Sequence, residues 1–348
     1  MKLDDLFKNP DGWLKGIGPE ADIVISSRIR MARNLKEFSF SDWADAKEKE
    51  KVVEKVKKAI ENSNYLKGSL FLRIDELPEL DKQVLLERQL ISLELANKKG
   101  PAAVCISDKE IFSIMINEED HLRLQVIQSG FDFAGNWRII EKIDDELSAQ
   151  LDVAYSPKLG FLTACPTNAG TGMRASAMMH LPALVMNKAI NKILNAIAKL
   201  SFNVRGFHGE GTEASGNFFQ ISNQITLGRS ELTIIDDIEG IVKQVIEHEK
   251  NVRKKMLREK LPELEDKIYR AYGTLKNARV ISSEETMNLL SILRLGVDSG
   301  IIKDINRSFI NELLVITQPA HLQKMEGKIL SAKQRNLKRA EIIRGKIK

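Results

Sequence analysis

The stretch Ala164-Cys-Pro-Thr-Asn-Ala-Gly-Thr-Gly-Met-Arg-Ala-Ser-Ala-Met-Met-His180 decides how the rest of the chain is read. The apolar run 160–164 predicts a buried strand ending at Cys165-Pro166. A loop with Gly170 and Gly172 follows, and a helical pattern starts near Arg174 and runs to about Leu200 across Pro182. Strand, glycine loop and helix start is a geometry that turns backbone N–H groups toward an anion. The Gly-Lys-Ser/Thr ending of a Walker loop is missing, so the expectation is a phosphate site built on arginine. An ordinary strand–turn–helix connection fits the same residues equally well.

Working outward, Asp22 to Asn34 begins with a strand signal at 23–25. In an extended segment Arg28 and Arg30 flank Ile29 and point to one face. Two such guanidinium groups repel unless water or an anion compensates. Residues 102–107 and 111–116 read as a hairpin joined through Asp108-Lys109-Glu110. Its second strand runs into Asn117-Glu-Glu-Asp-His-Leu-Arg123. Three successive carboxylates raise one another's pKa, and a fold tolerates them where a cation such as Arg123 sits among them. Downstream, 203–217 is a polar glycine-rich loop carrying Arg205, Glu210 and Glu213, the kind of long loop that is usually functional. Strand-like sequence returns at 218–222 and 224–227.

Helical spacing predicts amphipathic helices over 44–62, 81–98, 138–152 and 233–257. Beyond Leu261-Pro262 the pattern is helical throughout, with a capping signature at Ser282-x-x-Glu285 and helices over 304–316 and 319–348. The fold class is therefore α+β, with a C-terminal all-α domain. The expected organisation is an irregular arm over 1–21, a catalytic domain over 22–255 and a helical domain over 260–348.

Composition narrows the class. The chain has 348 residues, 43% hydrophobic and 29% charged, which suits a well-solvated globular protein. Its two cysteines, Cys105 and Cys165, exclude a disulfide framework and suit a reducing cytoplasm. There is no signal-peptide pattern and no apolar run long enough to span a membrane. The net charge of +5 is uneven, because residues 324–348 hold nine Lys/Arg against two acids. That segment suits either an anionic partner or a solvated helix face.

The chemistry follows from the side chains beside loop and strand-end signals. Arg28, Arg30, Arg123, Arg174 and Arg205 could neutralise a nucleotide triphosphate without a P-loop, since guanidinium forks bind phosphate bidentately and stay charged. Phosphoryl transfer needs mainly such positioning and charge stabilisation. Glu119 and Glu210 could orient a guanidinium acceptor and remove its proton, and the Cys165 thiolate could help hold it. This set suits ATP-dependent phosphorylation of a guanidino nitrogen without selecting it uniquely.

At SSRIRMARN (26–34), NEEDHLR (117–123), CPTNAGTGMRAS (165–176) and RGFHGEGTEASGNFFQISNQ (205–224), the sequence resembles the phosphagen (guanidino) kinase superfamily. More closely it is similar to the bacterial protein arginine kinases. The resemblance implies a central antiparallel sheet flanked by helices. It implies nucleotide contacts from Ser26, Ser27, Arg28, Ile29, Arg30, Arg123, Arg174, Ala175, Ser176, Ala177, Met178, Arg205, Gly206, Phe207, His208, Gly209 and Glu210, with Gln89 a weaker candidate. Glu119, Glu210 and Cys165 would be catalytic. ATP/ADP would carry Mg²⁺ through its phosphates, with no metal ligand from the protein. The family's phosphoarginine-binding RDxxRA motif corresponds to Arg335, Asn336, Arg339 and Ala340, with Asn336 replacing Asp. The implied partners are proteins with exposed arginines, a heat-shock repressor, a Clp-type ATPase-protease, a zinc-binding activator and a second copy of the chain. Neither a membrane nor direct contact with nucleic acid is implied. The alternatives are a kinase of a free guanidino metabolite and a non-catalytic phosphoarginine-binding adaptor; a nucleic-acid binder resting on the basic tail is the weakest.

Overall fold

The structure, a computed structural model, describes residues 12–206 and 215–347. Along the chain run β1 (Val24–Arg33), α1 (Ala46–Asn62), β2 (Leu70–Arg73), α2 (Glu79–Glu87), α3 (Leu93–Ala96), β3 (Ala103–Ile106), β4 (Phe112–Ile116), β5 (Leu122–Ser129) and α4 (Phe133–Ser148). A small hairpin, β6 (Tyr155–Ser156) and β7 (Gly160–Phe161), leads to β8 (Met173–His180), α5 (Pro182–Met186), α6 (Ile190–Lys199), β9 (Phe202–Gly206), β10 (Phe218–Asn223) and α7 (Glu231–Glu259). Then come α8 (Leu261–Asn277), α9 (Ser283–Asp298), α10 (Arg307–Ile316), α11 (Pro319–Glu326) and α12 (Ala332–Lys346).

Eight strands form one antiparallel sheet in the order β2-β3-β4-β5-β1-β8-β10-β9. Strand alternation gives it two unlike faces. On one face Ile29, Met31, Leu124, Val126, Ala175 and Ile221 meet apolar stripes of α1, α4 and α7, including Val52, Val56, Ile140, Ile143, Ile238 and Val242. Arg33 also belongs to this side, where Asp144 of α4 holds it at 2.7 Å. On the other face Leu85, Leu90 and Leu95 cover Val104, Ile106 and Met115. The C-terminal helices bring Ile268, Leu290, Leu293 and Leu313 onto Ile127, Met178 and Phe218. A polar strip between these two apolar covers carries the arginines.

The arm expected to be irregular contains a 3-10 turn at Gly12–Lys15. Its Trp13 is 2% exposed and packs in the same cluster as the C-terminal helices. That cluster joins the helical region to the sheet, and a buried polar network reinforces the joint. His180 Nε2 lies 2.8 Å from Ser291 Oγ, and Arg294 donates to the Ala21 carbonyl at 2.7 Å. The Glu249 carboxylate accepts from Ala183 N and Leu184 N at 3.1 and 3.0 Å, satisfying the start of α5, and from Arg253 Nε at 2.7 Å. Glu249→Ala would strand all three donors in a buried site. It should cost about 3 kcal/mol of stability, read as a lowered midpoint in urea unfolding.

Several expectations are corrected. The helix expected to start near Arg174 is the strand β8, and helices resume only at Pro182. Ala and Met favour helices in isolation, but a central strand enclosed by β1 and β10 buries them on both faces. The strand expected over 160–164 is the two-residue β7, half-buried, and 224–227 is not a strand. The 81–98 helix is broken at Gln89, whose φ of 62° lies in the left-handed region. Ser92 then caps α3 by accepting from Leu95 N at 3.1 Å. The 319–348 helix is split by Gly327 at φ 65° and restarted by a capping box at Ser331 and Gln334.

Candidate active site

The sheet register assembles the arginines. Arg30 stands directly opposite Arg174 on β8 and Gln125 on β5, while Arg123 faces Ala32, Arg28 faces Ser176 and Arg205 faces Gln220. All five therefore share one face. Like charges placed directly across two strands are destabilising. Burial and the neighbouring Arg123 and Arg174 lower the Arg28 guanidinium to about 10. Burial, with Arg28, Arg123 and Arg174, pushes Arg30 well below its ordinary value. The Arg30 Nε is buried without a hydrogen-bond partner among the described residues. A polyanion is what such an array accommodates.

Arg30, Arg123, Arg174 and Arg205 line an open cleft of about 1130 Å³ that also contains Glu119 and Cys165. Arg28 donates to Gln220 Oε1 at 3.0 Å and lies in a tight recess with Ser26, Gln89, Ser176 and Met178. The strand pattern thus brings nine of the fourteen expected nucleotide contacts that lie among the described residues to one side of the sheet. Four others are not brought together with these, because alternation turns their side chains away. Ile29, Ala175 and Ala177 enter the apolar core of the opposite face. Ser27 is fully buried and its Oγ accepts from Asp132 N and Asn136 Nδ2. Gly206 ends β9, and Phe207, His208, Gly209 and Glu210 lie outside the described residues.

The three carboxylates of the hairpin end have three different positions. Asn117, at φ 58°, makes the turn, and its N–H donates to the His121 carbonyl at 3.0 Å. Glu118 turns inward to Arg123 and Ser92 Oγ. Burial raises its carboxyl, but Arg123, Ser92 and the Glu119 N–H outweigh burial and hold it below the usual range. Asp120 turns the other way and accepts from Asn34 Nδ2 at 2.5 Å and Ala164 N at 2.7 Å. Burial raises its pKa. Glu119 projects into the cleft, and partial burial followed by the charges of Asp120 and Glu118 raises its pKa.

The Asp120 bond to Ala164 N ties the loop that starts at Cys165 to the hairpin end that carries Glu119. A 3-10 turn over Pro166–Asn168 follows the cysteine, whose Sγ is 2.9 Å from Thr167 Oγ1. Thr226 Oγ1 clasps the loop through the Thr167 and Ala169 carbonyls at 3.0 and 2.7 Å. Gly170 sits at φ 103°, and a Cβ there would lie 2.5 Å from the Thr226 carbonyl oxygen, so the loop needs glycine. Asp120 was not singled out by the sequence; only its place beside Glu119 could have pointed to it. Asp120→Ala should release the loop and lower kcat by about ten- to a hundredfold. The KM for ATP should change little, since Asp120 faces away from the arginines; steady-state kinetics checks both.

On α12, Arg339 is buried rather than presented on a surface. It donates to the Thr317 carbonyl at 2.8 Å, the Ile281 carbonyl at 3.1 Å and Asn336 Oδ1 at 2.7 Å. Burial, then Arg335, lowers it to about 10. Arg335 donates to the Leu330 carbonyl at 2.7 Å, and Ala340 is buried. The basic excess is partly consumed within the fold, with Lys324 on Asp81, Lys338 on Glu326 and Glu341, and Lys346 on Glu312. Among the described residues no three His, Cys, Asp or Glu side chains could hold a metal ion together, and no helix is long and apolar enough to cross a membrane.

Comparison with known proteins adds an independent finding. The family described as ATP:guanido phosphotransferase, C-terminal catalytic domain, matches residues 51–252. The family described as protein-arginine kinase McsB C-terminal domain matches residues 261–348. The protein-arginine kinase of Halothermothrix orenii is 47% identical over 348 residues, covering 100% of this chain and 99% of its own. That of Halalkalibacterium halodurans is 47% identical over 337 residues, covering 97% and 95%. Among solved structures, the duplicated taurocyamine kinase of Schistosoma mansoni superposes with a TM-score of 0.61 at 26% identity, over 72% of this chain and 36% of that one. A lombricine kinase superposes with a TM-score of 0.61 at 21% identity, over 73% and 76%, which speaks for the fold alone.

Proposed function

The chain belongs to the protein-arginine kinase family of ATP:guanido phosphotransferases, and from that membership we propose how its cleft transfers phosphate to arginine side chains of proteins. The observation that carries the reading is the meeting of an arginine strip with Glu119 in one cleft. Arg28, Arg30, Arg123, Arg174 and Arg205 hold the ATP phosphates, and Ser26, Ser176, Met178 and Gln89 border the nucleotide beside Arg28. Mg²⁺ would be held by the nucleotide's own phosphates beside the arginine strip and would supply neutralisation of their charge. Glu119 accepts hydrogen bonds from the guanidinium of the target arginine and turns one Nη toward the γ-phosphorus.

The Nη–P bond forms as the bond to the ADP oxygen breaks, and the Nη proton passes to Glu119. A guanidinium is a very weak acid, so a base with a raised pKa is the better acceptor of that proton. Asp120 and the 165–168 turn set Cys165 beside the same guanidinium, where its sulfur supports the cation. Glu210 supplies a second carboxylate to the acceptor. Residues 22–255 form the catalytic unit and 260–348 a helical unit for dimerisation and substrate docking, with Arg335, Asn336, Arg339 and Ala340 its phosphoarginine-responsive stretch. Phosphoarginine made in this way marks cytoplasmic proteins, a heat-shock repressor among them, for a Clp-type ATPase-protease, with a zinc-binding protein as activator.

The test is transfer of labelled γ-phosphate from ATP. Label should appear on an arginine-containing protein, survive mild alkali and leave in acid. Label on free arginine with none on protein would overturn the reading.

A further inference from the structure

Trp43 is 82% exposed, although burying a large apolar side chain normally stabilises a fold by about 1.5–3 kcal/mol. It stands on a segment built onto the catalytic hairpin. His121 Nδ1 accepts from Leu35 N at 3.0 Å, and its Nε2 lies 2.8 Å from the Ser39 carbonyl oxygen. Burial pushes the His121 imidazole below its ordinary value, which keeps it neutral and the two bonds intact. At the far end Lys98 Nζ bridges Asp42 Oδ1 at 2.8 Å and the Glu118 carbonyl at 2.6 Å. Trp43 N and Ala44 N close a turn on the Phe40 carbonyl at 2.8 and 3.0 Å, and the Phe40 ring meets the indole edge-on at 6.0 Å. The lip 40–43 is therefore fixed to both flanks of Glu119. Asp42 lines the cleft with Glu119 and Cys165.

On the protein-arginine reading of the cleft, we propose that this lip is the docking site for the polypeptide flanking the target arginine, a basic extended segment of the substrate protein. The long stem of an arginine separates its guanidinium from its main chain. With the guanidinium at Glu119, the main chain lies at the cleft rim, where Asp42 stands and Trp43, exposed, follows it in the chain. Asp42 offers carboxylate oxygen to a flanking N–H or cation. The Trp43 face takes the stem or charged head of a neighbouring Lys or Arg, a contact that tryptophan makes better than other side chains.

The test compares two acceptors with the full chain, a synthetic peptide with one arginine between lysines and N-acetylarginine amide. Trp43→Ala should raise the peptide KM about tenfold. Trp43→Phe should raise it about twofold, and Asp42→Asn several-fold. The KM values for ATP and for N-acetylarginine amide should not move. Peptide binding should also shift the tryptophan emission of the wild type and not that of Trp43→Phe, a readout that needs no turnover. A peptide KM within twofold of wild type in Trp43→Ala, or an equal rise for the amide, would overturn the docking site while leaving the kinase reading intact. Failure of the wild type to phosphorylate either acceptor, with the emission shift still present, would overturn the kinase reading and keep the docking site.

Discussion

Glu119→Gln should lower kcat by about 10²–10⁴-fold, the range by which a positioned general base accelerates proton transfer. Gln keeps the shape and one acceptor oxygen but cannot take the proton. The KM for ATP should stay near the wild-type value, because the substitution leaves the arginine strip intact. The pH profile supplies a second reading. Partial burial, Asp120 and Glu118 all raise the Glu119 pKa. The active form is the carboxylate, so kcat should fall as pH drops through a value above the ordinary glutamate range. That acidic limb should vanish in the residual activity of Glu119→Gln. A limb at an ordinary carboxylate pKa would mean that the burial seen here does not govern the working enzyme.

Arg30→Met should raise the KM for ATP by about ten- to a hundredfold and also make the nucleotide-free protein more stable. The first effect is the loss of a charge-assisted contact worth about 1.5–3 kcal/mol. The second follows from the register. Arg30 faces Arg174, is held well below its ordinary pKa by burial and by three neighbouring arginines, and has a buried Nε without a partner among the described residues. Replacing that cation with an apolar side chain of similar length removes the repulsion and the desolvation cost. Thermal unfolding of wild type and variant, with and without ADP, checks both effects. The variant should melt higher alone and gain less from ADP. A variant that melts lower alone and binds ADP normally would show that Arg30 is structural.

The chemistry of the cleft was more legible in the sequence than its architecture. Alternation around Ile29 sends Arg28 and Arg30 to one face, and that holds wherever the segment is extended. The same rule puts Ser27, Ile29, Ala175 and Ala177 on the opposite face once 174–178 is recognised as strand. That recognition was out of local reach, because Met-Arg-Ala-Ser-Ala-Met-Met-His is helix-favouring and becomes β8 only through β1 and β10. The consequence is chemical. Arg174 stands on the flat face of a sheet, opposite Arg30, and not at the N-terminus of a helix.

The hairpin end shows the same limit at the scale of single residues. Glu118, Glu119 and Asp120 look equivalent as text. Only the Asn117 turn sends one to Arg123, one into the cleft and one to Ala164. Breaks in the helices were partly written in the chain. Gly327 and Ser331-x-x-Gln334 are ordinary stop and start signals. The left-handed Gln89 is not such a signal, since tertiary packing imposes it. The lip at 40–43 carries no motif at all, and its meaning comes from His121 and Lys98, both distant in sequence.

The most direct measurement is mass spectrometry, at neutral pH, of one protein substrate incubated with ATP and either the wild type or Glu119→Gln. The wild type should place phosphate on arginine side chains, and the variant should leave those arginines almost unmodified over the same time. Phosphate confined to hydroxyl or imidazole side chains, or phosphoarginine formed equally by both proteins, would contradict the account.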